Sequence, residues 1–162
     1  MTKKIAVLSD THGYIHPDIV DLVSKCDIAI HAGDICEEQT LTQLKPQEKL
    51  IAIQGNNDYH ITHLKDKEEL NLFNRKIVVE HGHAYPYEHI KSLHNSLREQ
   101  YPDANIIIYG HTHKQVIDDS QTPWVINPGA AGKIRTYGGA SCLVLQLAED
   151  KKCSIEKFRF ND

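Results

Sequence analysis

What limits this chain's possible folds most is a repeated unit, a short apolar run that closes into a polar loop bearing Asp, His or Asn. Residues 5–8 run into Ser9-Asp10-Thr11-His12-Gly13, and residues 28–32 into Gly33-Asp34. Residues 50–53 lead to Gly55-Asn56-Asn57-Asp58, residues 77–80 to His81-Gly82-His83, and residues 105–109 to Gly110-His111-Thr112-His113. Short apolar runs bounded by turn residues read as buried strands. In α/β sheets the carboxyl ends of the strands form the usual ligand crevice. Seven side chains from distant parts of the chain are therefore expected to converge: Asp10, His12, Asp34, Asn56, His81, His111 and His113.

The intervening segments fit that reading. Pro17–Ser24 places Ile19, Val20, Leu22 and Val23 at helical spacing, with Pro17 suited to a first turn. Residues 39–44 carry a second helical pattern stopped by Pro46, and residues 87–100 a third. Val116-Ile117, Val125-Ile126 and residues 141–147 and 154–160 read as strands, separated by turn signals at Thr122-Pro123, Asn127-Pro128-Gly129 and Gly138-Gly139. Strands alternating with helices predict a mainly parallel sheet in the first half. The second half is β-rich and expected to be antiparallel in part. No linker, low-complexity tract or internal repeat interrupts the chain, so residues 1–162 are expected to form one domain.

Composition narrows the class of function. With 162 residues, 40% hydrophobic and 25% charged, the chain can bury a core without disulfides. A net charge of −4 argues against a long nucleic-acid partner and leaves room for a nucleotide. Cys26, Cys36, Cys142 and Cys153 form no C-x-x-C pair, which excludes a zinc ribbon or a thioredoxin-type motif. The apolar run after Lys3-Lys4 is too short for a signal peptide, and none approaches the ~20 residues of a membrane span. The expectation is a reduced, cytoplasmic protein without membrane contact. Oligomeric state is open, and a homo-oligomer fits the composition as well as a monomer does.

Each polar loop alone is ordinary turn or helix-cap chemistry. Their ordered combination is not, and five of the chain's eleven histidines, His12, His81, His83, His111 and His113, stand in these loops. Imidazole suits Zn, Mn, Fe, Co and Ni, while carboxylates and amide carbonyls suit harder ions such as Mn. A carboxylate shared by two ions would hold them ~3.5–4 Å apart, the spacing used in two-metal hydrolysis.

The order D-x-H, G-D, G-N-x-D, G-H-x-H resembles the calcineurin-like metallophosphoesterases. His81-Gly82-His83 and Asn127-Pro128-Gly129 are similar to its compact, YfcE-type phosphodiesterase branch, and the likeness runs from about Lys4 to about Leu147. The resemblance implies an α/β fold, a four-layer α/β/β/α sandwich of two mixed sheets flanked by helices. It implies two divalent transition-metal ions, manganese foremost, with nickel, cobalt, iron or zinc as alternatives. Asp10, His12 and His113 would hold one ion, Asn56, His81 and His111 the other, and Asp34 both. The implied activity is hydrolysis of small phosphodiesters by a water or hydroxide that the metals activate.

One position departs from many relatives. Where they carry a His thought to protonate the leaving group, this chain has Asn57, which donates hydrogen bonds but cannot supply a proton at neutral pH. General acid catalysis is typically worth ~10²–10⁴-fold, so diesters with good leaving groups should be cleaved best. His83 is the candidate substitute acid or phosphate contact. Asp58 is expected to orient His12 by a hydrogen bond, Asn127 to line the substrate site, and Lys133 or Arg135 to meet phosphate. Tyr14, Tyr85 and Tyr137 are candidates for a substrate wall or an interface. The rival readings are a phosphomonoesterase or nucleotide phosphatase, cyclic-nucleotide or RNA-end processing, and a non-catalytic scaffold like the retromer subunit of this fold.

Overall fold

Strand β1, Thr2–Leu8, is buried from Ile5 onward, and its alternate residues enter two different cores. Ile5 and Val7 join a cluster with Ile77, Val79, Ile106 and Ile108, while Ala6 and Leu8 pack with Ile19 and Val23. A strand apolar on both faces needs a layer on each side, and this alternation sets the layering of the molecule. The computed structural model describes residues 1–86 and 88–161.

After β1 come helix α1 (Pro17–Ser24), β2 (Ile28–His31), a 3-10 helix (Glu38–Gln43) and β3 (Lys49–Ala52). Next are β4 (Lys67–Leu72), β5 (Arg75–Glu80), α2 (Ile90–Gln100) and β6 (Ile106–Ile108). The chain ends with β7 (Val116–Asp118), β8 (Trp124–Asn127), β9 (Ala140–Ala148) and β10 (Cys153–Phe160). The described strands make two five-stranded sheets, ordered β10-β9-β1-β2-β3 and β4-β5-β6-β8-β7. Both are mixed. β1, β2 and β3 run parallel, as do β5, β6 and β8, and antiparallel strands complete each sheet.

The inter-sheet core is built from inward residues of both sheets, including Ile30, Ile126, Leu143 and Leu145. Ile19 and Val23 of α1 cover the outside of the first sheet. Leu93 and Leu97 of α2 cover the second against Val78, Ile107 and Val125. The result is the four-layer α/β/β/α sandwich that the resemblance implies. No helix among the described residues is long and apolar enough to cross a membrane.

Three elements differ from the sequence reading. β4, with the sequence KEELNL, had no apolar run to announce it, because it is an edge strand that buries only Leu70 fully. Its hairpin turns through Phe73 and Asn74, both at positive φ, without the glycine that usually marks such a turn. The segment predicted helical at 39–44 is a 3-10 helix over Glu38–Gln43. The third helix starts at Ile90, where His89 caps it by accepting from the Ser92 amide; Tyr87, the first residue of the predicted span, lies outside the described residues.

Candidate metal centre

The parallel pairing of β1 with β2 continues beyond both strands into their loops. Asp10 N–H donates to the Gly33 carbonyl at 2.9 Å, and His12 N–H to the Asp34 carbonyl at 3.0 Å. Gly110 N–H, in the loop after β6, donates to the His81 carbonyl at 3.1 Å. The loops are thus held as firmly as strands, but with an unusual backbone. Asp10, His12, Asp34, His111 and His113 all sit in the left-handed region, with φ of 54°, 45°, 58°, 68° and 64°. Such residues cost of order 1–3 kcal/mol each and persist only where surrounding bonds over-determine them. Two glycines let the loops close: a Cβ at Gly55 would lie 2.3 Å from Asp34 Oδ1, and one at Gly110 would lie 2.1 Å from Ser9 Oγ.

At this edge the imidazoles and carboxylates gather in two triads. Asp10, His12 and His113 form one, and Asp34, His81 and His111 the other, each with its candidate ligand atoms within 4.8 Å of one another. His12 Nε2 and His113 Nε2 are 3.3 Å apart. Asp34 Oδ2 reaches across the triads, 3.6 Å from His12 Nε2 and 3.3 Å from His81 Nε2. Asp10 Oδ1 lies 3.5 Å from His113 Nε2 and 3.7 Å from His81 Nε2.

The surrounding bonds orient these groups toward the cluster. Asp10 Oδ2 accepts from Ser9 Oγ at 2.7 Å and from the His111 amide at 3.0 Å, which fixes the carboxylate and turns Oδ1 inward. His81 Nδ1–H donates to the Ala32 carbonyl and His113 Nδ1–H to the Ile134 carbonyl, both at 2.8 Å. That assignment leaves each Nε2 lone pair directed at the cluster, the usual way an outer partner orients a metal-binding histidine. Asp10 Oδ1 and His81 Nε2 are buried and have no hydrogen-bond partner among the described residues. Buried polar atoms are rarely left so. Their donor types and their convergence fit divalent transition-metal ions.

The electrostatics agree. Burial pushes the Asp10 carboxyl up to about 6, against the pull of His81 and the Ser9 hydroxyl. Burial also works to raise Asp34, but His81 and two donors of Asn57 outweigh it and hold that carboxyl well below the usual range. His81 is disfavoured as a cation by burial, yet Asp34 and Asp10 raise its pKa. Burial lowers the pKa of His12, His111 and His113, which favours the neutral, ligating imidazole.

Other predicted residues take varied positions. Asn56 is exposed and lines the cleft of ≈ 390 Å³ that also borders Asp34, Asn57 and His111. Asn57 holds Asp34 in place: its amide N–H donates to Oδ1 at 3.0 Å and its side chain to Oδ2 at 2.9 Å. His83 is exposed, with its ring 5.5 Å from that of His81 and 6.2 Å from that of His111.

Asp58 does not meet the expectation of a bond to His12. Its buried carboxylate accepts from the amides of Ile35, Cys36 and Gly55 at 3.1, 2.7 and 2.8 Å, tying the loop after β2 to the loop after β3. His12 Nδ1 faces Cys36 Sγ at 3.4 Å instead. Asn127, expected to line the substrate site, turns inward. Its side-chain amide donates to the Gly110 carbonyl at 2.9 Å and to Thr112 Oγ1 at 3.0 Å, and its oxygen accepts from Gly129 N–H at 2.9 Å. It therefore braces the His111-Thr112-His113 loop. Lys133 lies over the Tyr14 ring at 4.0 Å, while Arg135 borders the cleft with Nη2 3.4 Å from His113 Nε2.

The sequence reading missed His31. It is fully buried; Nδ1 accepts from the Gly33 amide at 3.2 Å and Nε2 lies 2.9 Å from Thr11 Oγ1, so it joins the loops that carry Asp10 and Asp34. It ends a strand rather than coming after one, so only its place two residues before Gly33 could have drawn notice.

Fold and site together define an α/β/β/α sandwich with candidate metal ligands on loops at the strand ends of both sheets. The sequence profile of the calcineurin-like phosphoesterase superfamily domain matches residues 4–150. This chain belongs to that superfamily. It is 35% identical over 134 residues to a probable metallophosphoesterase of Methanocaldococcus jannaschii, covering 80% of this chain and 68% of that one. A phosphodiesterase of the same organism is 30% identical over 145 residues, covering 78% and 82%. Among solved structures, Vps29 of Entamoeba histolytica in complex with zinc superposes with a TM-score of 0.75 at 22% identity, covering 98% of this chain and 99% of that one. An archaeal phosphodiesterase superposes with a TM-score of 0.68 at 24% identity, covering 96% and 99%. At these identities the structural likenesses speak to the fold.

Proposed function

We propose that this chain is a phosphodiesterase of small diesters that works with two divalent transition-metal ions. Asp10, His12 and His113 would hold one ion, and His81 and His111, with Asn56 from the cleft wall, the other; Asp34 would serve both. The observation that carries this reading is the pair of buried, unpartnered atoms, Asp10 Oδ1 and His81 Nε2, within two triads that Asp34 Oδ2 spans. Bound ions of this kind supply Lewis acidity toward phosphoryl oxygens and lower the pKa of water.

The chain's own residues set the substrate preference. Asn57 fixes both oxygens of Asp34 and so keeps the shared carboxylate from rotating. It has no proton to give a departing alkoxide. Water adds to phosphorus, one P–O ester bond breaks, and the products are a monoester and an alcohol. Proton delivery to the alcohol falls to His83 or to solvent, because His83 is the exposed imidazole beside His81 and His111. Diesters of acidic alcohols, which leave without help, are the favoured substrates.

The test is direct. Stripped of metal, the protein should not hydrolyse bis-p-nitrophenyl phosphate, and Mn²⁺, Ni²⁺ or Co²⁺ should restore turnover. If none of the divalent ions does so, the enzyme reading fails and a scaffold role on this fold takes its place.

A further inference from the structure

The later part of the loop between β8 and β9, residues 132–139, is built more rigidly than a plain connection requires. Arg135 and Tyr137 both lie in the left-handed region, at φ 48° and 54°, although neither is glycine. Several bonds hold them there. Arg159 of β10 donates from Nη1 to the carbonyls of Thr136, Tyr137 and Gly139 at 2.8, 3.2 and 2.8 Å. Gly139 N–H donates to Thr136 Oγ1 at 3.1 Å, and the Ile134 carbonyl accepts from His113 Nδ1 at 2.8 Å. The same loop thus orients a candidate metal ligand and presents two side chains to the cleft.

Those side chains have complementary chemistry. The Arg135 guanidinium, 3.4 Å from His113 Nε2, borders the metal centre, where a planar fork of donors suits phosphoryl oxygens. The Tyr137 ring also lines the cleft, is 55% exposed, and has the Lys114 ammonium 5.4 Å from its centroid. A large aromatic ring left this open, on a backbone this constrained, suits stacking on another flat ring. Polar groups of Thr112, His89 and Lys114 share the cleft with it and suit a base that carries donors and acceptors on its edge.

We propose that residues 132–139 form a substrate-recognition arm in which Arg135 engages the phosphoryl oxygens and Tyr137 stacks on the base of a nucleoside, so that the substrates are nucleoside phosphodiesters. This rests on the phosphodiesterase reading and adds a substrate class to it.

The experiment compares p-nitrophenyl diesters that differ only in the second arm: thymidine 5′-yl, phenyl and ethyl. In each, water adds to phosphorus, the bond to p-nitrophenol breaks, and the thymidyl, phenyl or ethyl monoester remains. The metal-loaded protein should show a higher kcat/KM for the thymidine ester than for the ethyl ester. Tyr137→Ala should shrink that ratio about tenfold, chiefly through KM, as loss of a base–aromatic stack does, and Tyr137→Phe should keep it. A ratio unchanged by Tyr137→Ala overturns the stacking arm while the enzyme reading stands. A phenyl ester favoured as much as the thymidine ester overturns the nucleoside assignment. Calorimetry with thymidine 5′-phosphate and ethyl phosphate reads the arm without turnover. Tighter binding of the nucleotide, lost in Tyr137→Ala, supports the arm even if no ester is hydrolysed; equal binding of the two overturns it.

Discussion

Asp34 and Asp58 stand on neighbouring loops and have opposite tasks. Asp34 has both oxygens held by Asn57, and its Oδ2 faces an imidazole of each triad. Asp34→Asn removes the charge that two cations would share. Elemental analysis of that variant should show the metal pair lost together with hydrolysis; wild-type metal content would show that Asp34 is not the shared ligand. Asp58 is fully buried and serves three backbone amides, those of Ile35, Cys36 and Gly55. Asp58→Ala strands those donors, each at a cost of ~1–3 kcal/mol. Urea unfolding of the metal-free variant should report a loss of about 3–5 kcal/mol, with Asp58→Asn, which keeps one oxygen, falling less.

At the scale of elements, α2 is pinned to the second sheet by a polar network under its apolar face. His94 Nδ1 lies 2.7 Å from Asp118 Oδ2 and its Nε2 lies 2.7 Å from the Tyr109 hydroxyl. Arg98 pairs with Asp118 at 3.1 Å and donates from Nε to the Pro123 carbonyl at 2.8 Å. Tyr109 leads directly into Gly110 and His111, so this network also sets the height at which the last ligand loop leaves β6. Asp118→Ala leaves a buried guanidinium without its counter-ion and should cost about 3 kcal/mol in urea unfolding. Metal content should fall less in Asp118→Ala than in Asp34→Asn, because no candidate ligand is touched.

For the whole molecule, acid is the expected weak point. Burial lowers the His31 imidazole from 6.5 to about 4, so the folded chain keeps it neutral where the unfolded chain protonates it. Protons therefore favour unfolding. Stability from this group is complete above pH 6.5, is lost as pH falls toward about 4, and changes little below that. The window corresponds to a loss of order 3 kcal/mol. Asp118, whose carboxyl is held below the usual range despite burial because Ser120, Arg98 and His94 bond to it, adds a further loss on stronger acidification. Thermal unfolding of the metal-free protein from pH 7.5 to 4 should show Tm falling across this range. His31→Gln should be less stable at pH 7.5 but flatter with pH; an equally steep profile in that variant would place the acid sensitivity elsewhere.

Much of this was legible in the chain because it is local. A buried strand has to be an apolar run, and a loop at its carboxyl end has to be polar, so β1, β2, β3, β5 and β6 and the residues after them could be read in order. The order of residues alone thus decides which side chains stand at the strand ends and which chemistry they offer. The rest depends on partners far along the chain. β4 is an edge strand with one fully buried residue, so its place is decided by β5 rather than by its own pattern. Asp58 and Asn127 have side chains equally fit to face substrate or backbone, and only the packing of loops around them turns both inward. Arg159 lies on the last strand, 24 residues after Arg135, and gives no local sign that it clamps the recognition loop. Hydrogen bonds between loops depend on strands far apart in the chain lying side by side, and that placement is a property of the tertiary structure.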